Sequence, residues 1–180
     1  IIKDAVSEAL EKYRKEELME EQYHTVRFNV LFKNLGEICF YLLKYMTGEL
    51  ANSSFIPRYF ELSLKKPDMD SNTGFKYEPF KIKVEVNGKE EEISVYGIVD
   101  RVDIADVNEA VEGEDTEPAT VNRKYIRVID YKTGTEDFGL EKVYYGLSLQ
   151  LLIYLFALAE SNPDYSPSSA TYFPAGDVAV

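Results

Sequence analysis

A single cysteine and a single histidine stand among the 180 residues. One cysteine, Cys39, excludes internal disulfides and any cysteine-rich metal site within the chain. Long hydrophobic runs are also missing. The longest, Leu151 to Ala159, is too short to span a bilayer and predicts a buried helical segment instead. The opening residues are mixed in charge and helical in pattern, unlike a signal peptide, and a cytoplasmic setting is expected. No G-x-x-x-x-G-K-[ST] phosphate loop occurs, which excludes an ATPase of the chain's own. Basic residues are few, 20 Lys and Arg against 32 Asp and Glu, for a net charge of −12. Taken alone, that balance argues against a nucleic-acid partner, because phosphate binding usually leaves a basic footprint. Much of the acidic excess is local, however. "NEAVEGEDTEP", Asn108 to Pro118, predicts a solvated, turn-rich loop between two strands. Acids that hold a metal also count as negative until the ion is added.

What is present is globular in character. A hydrophobic content of 45% with 13% aromatics rules out a disordered chain, and the length suits one domain with a real core. The chain opens without Met and stops at "AGDVAV" without a capping element, which suggests a piece of a larger protein. Ile2, Val6, Leu10 and Tyr13 fall at helical spacing, as do Leu31, Leu35, Ile38, Leu42 and Tyr45, predicting helices over 2–21 and 26–50. "ANSS" then punctuates. "YFELSLKK" predicts a strand stopped by Pro67, and "FKIKVEV" a hairpin with "EEISVYGIVDRVDI" across Asn87-Gly88. A fourth strand, "KYIRVIDYKTG", follows the acidic loop. A helix from about Leu140 to Ala159, with Leu147, Leu151, Leu155 and Leu158 on its apolar side, and a last strand, "SSATYFPAG", complete the order. That order predicts an α/β fold, a mixed sheet flanked by helices. Residues 1–54 are expected as a helical segment packed on a core of residues 55–180.

"VIDYKTG", Val128 to Gly134, ends an apolar strand in an unusual way. Alternation places Asp130 and Lys132 on the face of Ile126 and Val128. A carboxylate and an ammonium there need compensation, either from each other or from a metal ion and a substrate. Asp100, in "SVYGIVDRVD", is a second acid at the end of an apolar strand. If the two strands are neighbours, Asp100 and Asp130 lie side by side, and such a pair of like charges asks for a cation. Glu61, between Phe60 and Leu62, is a third. Three carboxylates and a lysine fit an oxygen-rich Mg²⁺ or Mn²⁺ site that activates water for phosphodiester hydrolysis. A serine β-lactamase reading of Lys132-Thr133-Gly134 with Ser63-Leu64-Lys65-Lys66 fails, since this serine lies in a strand and no S-D-N occurs.

"GIVDRVD" (Gly97 to Asp103), "VIDYKTG" and "QLLIY" (Gln150 to Tyr154) together resemble the PD-(D/E)xK nuclease superfamily in its RecB-like branch. With "FIPRYFELSL" and "ATYFPAGDV" in the same order, the stretch from about Phe55 onward is similar to AddB-type nuclease domains. Those domains belong to bacterial ATP-dependent helicase/deoxyribonucleases that process double-strand breaks for recombination. The resemblance implies a restriction-endonuclease-like fold, with Asp100 and Asp130 as metal ligands and Lys132 as the catalytic lysine. It implies Glu61 as the acid of the first core strand, and Gln150 and Tyr154 as residues that face the substrate. Arg101 and Asp103 belong to the motif in a structural role. The implied cofactor is Mg²⁺ or Mn²⁺; the implied partners are DNA, single-stranded, and the helicase-nuclease A subunit, with no membrane. A stand-alone RecB-like exonuclease and a non-catalytic DNA-binding or scaffolding module of the same fold are the alternatives. Many relatives carry a metal-shell histidine on an early helix, whereas His24 lies far upstream of Glu61 as a boundary residue, so that histidine is expected before residue 1. The iron–sulfur cluster expected in AddB-type proteins finds no ligands here, and Cys39 reads as a small core residue.

Overall fold

The computed structural model describes residues 1–18, 25–113, 116–132, 134, 141, 144–145 and 149–175, with backbone alone for 110–113 and 116–119. The chain divides into two compact units. Among the described residues, one is built on residues 1–53 and the other on those of 54–131 and 136–173; residues 132, 134, 174 and 175 group with the first.

The first unit holds two helices, α1 (Ile2–Glu17) and α2 (Val26–Ala51). Thr25 starts α2, its Oγ1 accepting from the Phe28 N–H at 3.1 Å, which satisfies one of the donors a helix start leaves open. Asn52 ends it: its N–H donates to the Glu49 and Leu50 carbonyls, and its side chain to Gly48. Gly36 lets the helices close, since a Cβ there would stand 3.3 Å from Leu10 Cδ1. Val6 is buried, yet no residue of α2 is, and Cys39 is half-buried rather than set in a core. The predicted first helix stops short of its expected end, and His24 and residues 19–23 lie outside the described residues.

The second unit contains, save the last residues of β7 and β8, the elements β1 (Ile56–Ser63), β2 (Asp68–Met69), β3 (Lys76–Tyr77), β4 (Phe80–Val86), β5 (Lys89–Val95), β6 (Ile98–Gly113), β7 (Thr116–Lys132), α3 (Gln150–Ser161) and β8 (Tyr165–Pro174). Its central sheet has the order β1-β6-β7-β8, and β1/β6 and β6/β7 are antiparallel. The Ala175 N–H donates to the Lys132 carbonyl at 2.7 Å, so β7 and β8 finish side by side. The link between them runs through α3, and the sheet is therefore mixed, as an α/β restriction-endonuclease-like fold requires. Val102, Ile126 and Val128 pack with Leu151, Leu155 and Leu158 of α3 in one buried cluster.

Three expectations need correction. The long strand "EEISVYGIVDRVDI" is two strands, broken at Tyr96-Gly97. Among the described residues β5 pairs only with β4, as a separate two-stranded sheet turned at Asn87 (φ 53°) and Gly88 (φ 75°). The acidic stretch Asn108–Pro118 is mostly strand, because β6 and β7 stay paired out to Gly113↔Thr116. Nearer the sheet that ribbon is tied by Asn122 to Asp106 and Asn108, and by Tyr125 and Arg123 to Glu109. Cross-strand polar pairs of this kind let charged residues run as strand. The helix expected from Leu140 is described as α3 from Gln150; Leu147 lies outside the described residues.

Candidate active site

β6 and β7 pair in strict register from Val111↔Ala119 to Arg101↔Ile129, with one irregularity beyond Val111 toward Gly113↔Thr116. Val102 faces Val128 and Ile104 faces Ile126, so one more step along the same register brings Asp100 beside Asp130. Neighbours directly across a ladder share a face. Both acids therefore prolong the apolar row of Val102, Ile126 and Val128, which are wholly buried. At this step the Tyr131 N–H donates to Asp100 Oδ2 at 2.8 Å, so a side chain occupies the amide at the strand ends. Asp130 is only 6% exposed. Its Oδ2 is enclosed and accepts no hydrogen bond among the described residues, although the residue takes part in a further interaction.

Glu61 sits on β1, the edge strand, between Phe60↔Arg101 and Leu62↔Val99, and so across from Asp100. Its φ of 50° is left-handed, a conformation that costs a non-glycine residue roughly 1–2 kcal/mol. Such strain concentrates at functional positions. Its side chain is exposed and lines a groove of about 530 Å³ with Lys65, Lys66 and Tyr77. Among the described residues no three His, Cys, Asp or Glu side chains gather closely enough to hold a metal. The register thus sets Asp100 beside Asp130 and Glu61 across from Asp100, with the Glu61 side chain turned to solvent. Lys132 is the half-buried last residue of β7, and its carbonyl takes the Ala175 N–H. As a donor set, two adjacent hard carboxylates suit Mg²⁺ or Mn²⁺, whose remaining positions are commonly water.

Gln150 and Tyr154 stand one turn apart on α3, and Gln150 Nε2 donates to the Tyr154 hydroxyl at 3.1 Å. Gln150 is exposed, but Tyr154 is buried at 7% exposure. A Cβ on Gly97 would collide with the Tyr154 ring and hydroxyl. The tyrosine thereby fills the gap where β5 stops and β6 begins, three residues before Asp100. The Gly97 carbonyl also accepts from the Leu64 N–H at 2.8 Å, tying this corner to the end of β1.

The opposite face of β6–β7 holds a polar network that joins Arg101 and Asp103, the structural residues of "GIVDRVD", to Arg127 and Tyr131 of β7. Asp103 accepts from Arg101 through Nε and Nη2, both at 2.8 Å, and from Arg127 Nη2 at 2.6 Å. Arg101 and Asp103 are both 0% exposed. Arg101 Nη1 donates to the Tyr131 hydroxyl at 2.9 Å, and its guanidinium lies near the rings of Tyr131 and Phe173. Burial opposes the Arg101 charge, but hydrogen bonds and charge from Asp103, with Tyr131, outweigh it and raise its pKa above the usual value. Burial likewise raises the Tyr131 pKa, against the opposing pull of Arg101. The signal was in the alternation: Arg101, Asp103, Arg127 and Tyr131 all fall on the face that Asp100 and Asp130 do not share.

The chain is similar to several curated proteins, each named as the B-type subunit of an ATP-dependent helicase/deoxyribonuclease. That of Thermoanaerobacter sp. (strain X514) is 37% identical over 158 residues, 86% of this chain and 12% of the relative. That of Clostridioides difficile (strain 630) is 36% identical over 138 residues, 77% of this chain and 10% of the relative. That of Clostridium tetani (strain Massachusetts / E88) is 29% identical over 156 residues, 84% and 12%. The chain therefore spans about an eighth of the length of the curated relatives it matches. No described helix is long and apolar enough to cross a membrane. The family model of the PD-(D/E)XK nuclease superfamily matches residues 3–179, nearly the whole sequence, and the chain belongs to that superfamily.

Proposed function

We propose that this chain is the nuclease domain of an AddAB-type helicase–nuclease, a divalent-metal-dependent deoxyribonuclease acting in double-strand break repair and recombination. The observation that carries the reading is the adjacency of Asp100 and Asp130 at the ends of two paired strands in a member of a nuclease superfamily. In this reading residues 55–180 are the core, residues 1–54 a helical segment, and the setting cytoplasmic. The substrate is single-stranded DNA, delivered by the helicase A subunit, which explains how a domain of such acidic balance handles DNA.

Asp100 and Asp130 would hold Mg²⁺ or Mn²⁺, with Glu61 completing the set by a side-chain rotation. When bound, the ion supplies an activated water and stabilises charge on the scissile phosphoryl group. The chain's own residues do the rest. Lys132, two residues beyond Asp130 in the same strand, orients the attacking water and offsets the transition-state charge. Gln150 presents an exposed amide toward the backbone of the strand. Tyr154 holds that glutamine and packs against Gly97. The exposed Glu61 favours one competing reading, a DNA-binding module of the same fold that does not cut.

Cleavage of labelled single-stranded DNA decides between them, run with Mg²⁺ or Mn²⁺ and with chelator. Metal-dependent cutting by the parent, lost by roughly three orders of magnitude in Asp130→Ala and in Lys132→Ala, is the expected result. DNA binding without cutting, both by this chain and by the full-length protein joined to its helicase partner, would leave the non-catalytic reading.

A further inference from the structure

The geometry points to the buried Arg101–Asp103 pair as the positioning element for the Asp100 carboxylate, acting through Tyr131. The inference rests on the metal-carboxylate reading above and extends it to residues on the other face of the sheet.

The connections run through named atoms. Asp103 grips the Arg101 guanidinium at two nitrogens, Nε and Nη2. That leaves Nη1 aimed at the Tyr131 hydroxyl. Held at its tip by Arg101 and against Phe173 at its ring, centroids 5.5 Å apart, Tyr131 has little freedom to turn. Its own N–H is the donor that Asp100 Oδ2 accepts. The β6–β7 register ends at Arg101↔Ile129, so beyond it the path of residue 131 is set by β8, where the Lys132 carbonyl takes the Ala175 N–H, and by side chains. The phenol tethered from below is one of them. Arg127 closes the network from β7: its Nη2 meets Asp103 Oδ2, and its guanidinium lies 4.6 Å from the Phe55 ring centroid, just before β1.

A purely structural account assigns the network only to holding strands together. A buried ion pair is weak support for stability, because desolvation offsets much of the attraction. Here the pair also sets where a hydrogen-bond donor for a candidate metal ligand lies, and partners outside a metal's ligand shell tune affinity in this way. Only the forked guanidinium reaches Asp103 with two nitrogens and Tyr131 with a third; a lysine keeps the charge and loses the fork.

The test uses Arg101→Lys and Tyr131→Phe, beside the parent chain and Asp130→Ala. Tyr131→Phe removes one hydroxyl and keeps the ring, so it remains informative if Arg101→Lys fails to fold. Two quantities are read: amide hydrogen exchange at residue 131, and Mn²⁺ binding by calorimetry. Exchange faster by roughly fivefold in Tyr131→Phe is expected for a weakened hydrogen bond. Mn²⁺ binding weaker by roughly 10- to 100-fold is expected in both variants, as for other outer partners of metal ligands. A folded Tyr131→Phe with parental exchange and parental Mn²⁺ affinity overturns the relay. So does an Arg101→Lys protein that binds Mn²⁺ like the parent and differs only in melting temperature. A parent that takes up no more Mn²⁺ than Asp130→Ala overturns the metal reading instead, while exchange at residue 131 still judges the positioning of Asp100.

Discussion

The two faces of the β6–β7 pair solve opposite problems. One is apolar along Val102, Ile126 and Val128 and ends in two adjacent acids, Asp100 and Asp130. The other buries charges outright, but with donors and acceptors matched: Asp103 meets both arginines, and Arg101 meets Tyr131. Adjacent like charges repel and lower stability unless a cation joins them. A matched buried network carries no such debt toward a ligand, and breaking it exposes the full desolvation cost. The same two strands thus separate a surface kept for chemistry from one kept for order. Changes on the first face are expected to alter function with little loss of fold, and changes on the second to alter both.

The largest effect on stability follows from cutting the ordered face at its centre. Asp103→Ala leaves Arg101 fully buried without its acid, which costs roughly 3–5 kcal/mol. Urea unfolding reads that cost. Asp100→Asn on the other face is expected to be neutral or mildly stabilising in the same measurement, since it relieves repulsion between acids. The double variant Arg101→Leu with Asp103→Leu recovers a good part of the Asp103→Ala loss, because no buried charge in the pair is left alone. A cost for Asp103→Ala below about 1 kcal/mol, the range of solvated surface pairs, would dissolve the contrast between the faces.

A smaller effect belongs to the corner where the faces begin. Gly97→Ala drives a methyl into Tyr154, and overpacking of this kind costs roughly 1–3 kcal/mol. Thermal unfolding of Gly97→Ala, of Tyr154→Ala and of the pair gives the coupling. The pair is expected to cost less than the sum, because the second change removes the clash made by the first. Additive losses would show that Tyr154 does not set the start of β6.

How legible this was differs from element to element. The second helix was readable to within a residue at each end, because its apolar spacing is strong and Thr25 caps it. The Asn87-Gly88 turn was readable because few other residue pairs accept two positive φ angles. The strand break at Tyr96-Gly97 was not, since its cause is Tyr154, remote in sequence and near in space. Nor was the long β6–β7 ribbon: its acidic composition resembles a loop, and its pairing rests on cross-strand partners such as Tyr125 with Glu109. In the site, alternation alone aligned Asp130 with Val128 and Ile126. It held the same information for Arg127 and Tyr131, which no motif emphasised. The left-handed φ of Glu61 has no local sequence sign at all.

Alkaline pH gives the gentlest test of the ordered face. Tyr131 has its pKa raised from the ordinary 10.0, chiefly by burial. Tyr59 on β1 is raised to about 12, again chiefly by burial, with its hydroxyl bonded to Asp70 and shared with Thr73. A phenol whose folded pKa exceeds its unfolded one favours the fold while it stays protonated. That contribution is complete below pH 10 and is lost as pH climbs through the folded pKa, for Tyr59 between 10 and about 12. Stability measured by urea unfolding is therefore expected to stay level with respect to these groups up to pH 10 and to fall above it. Tyr59→Phe and Tyr131→Phe should each flatten part of the fall. If the ordered face is as closed as its hydrogen bonds make it, absorbance of tyrosinate near 295 nm will show one class of phenol ionising near pH 10 and another only at higher pH. The second class should shrink in both variants. A single titration near pH 10 for every tyrosine would mean that water reaches Tyr131, and the two faces would then differ in charge pattern but not in access to solvent.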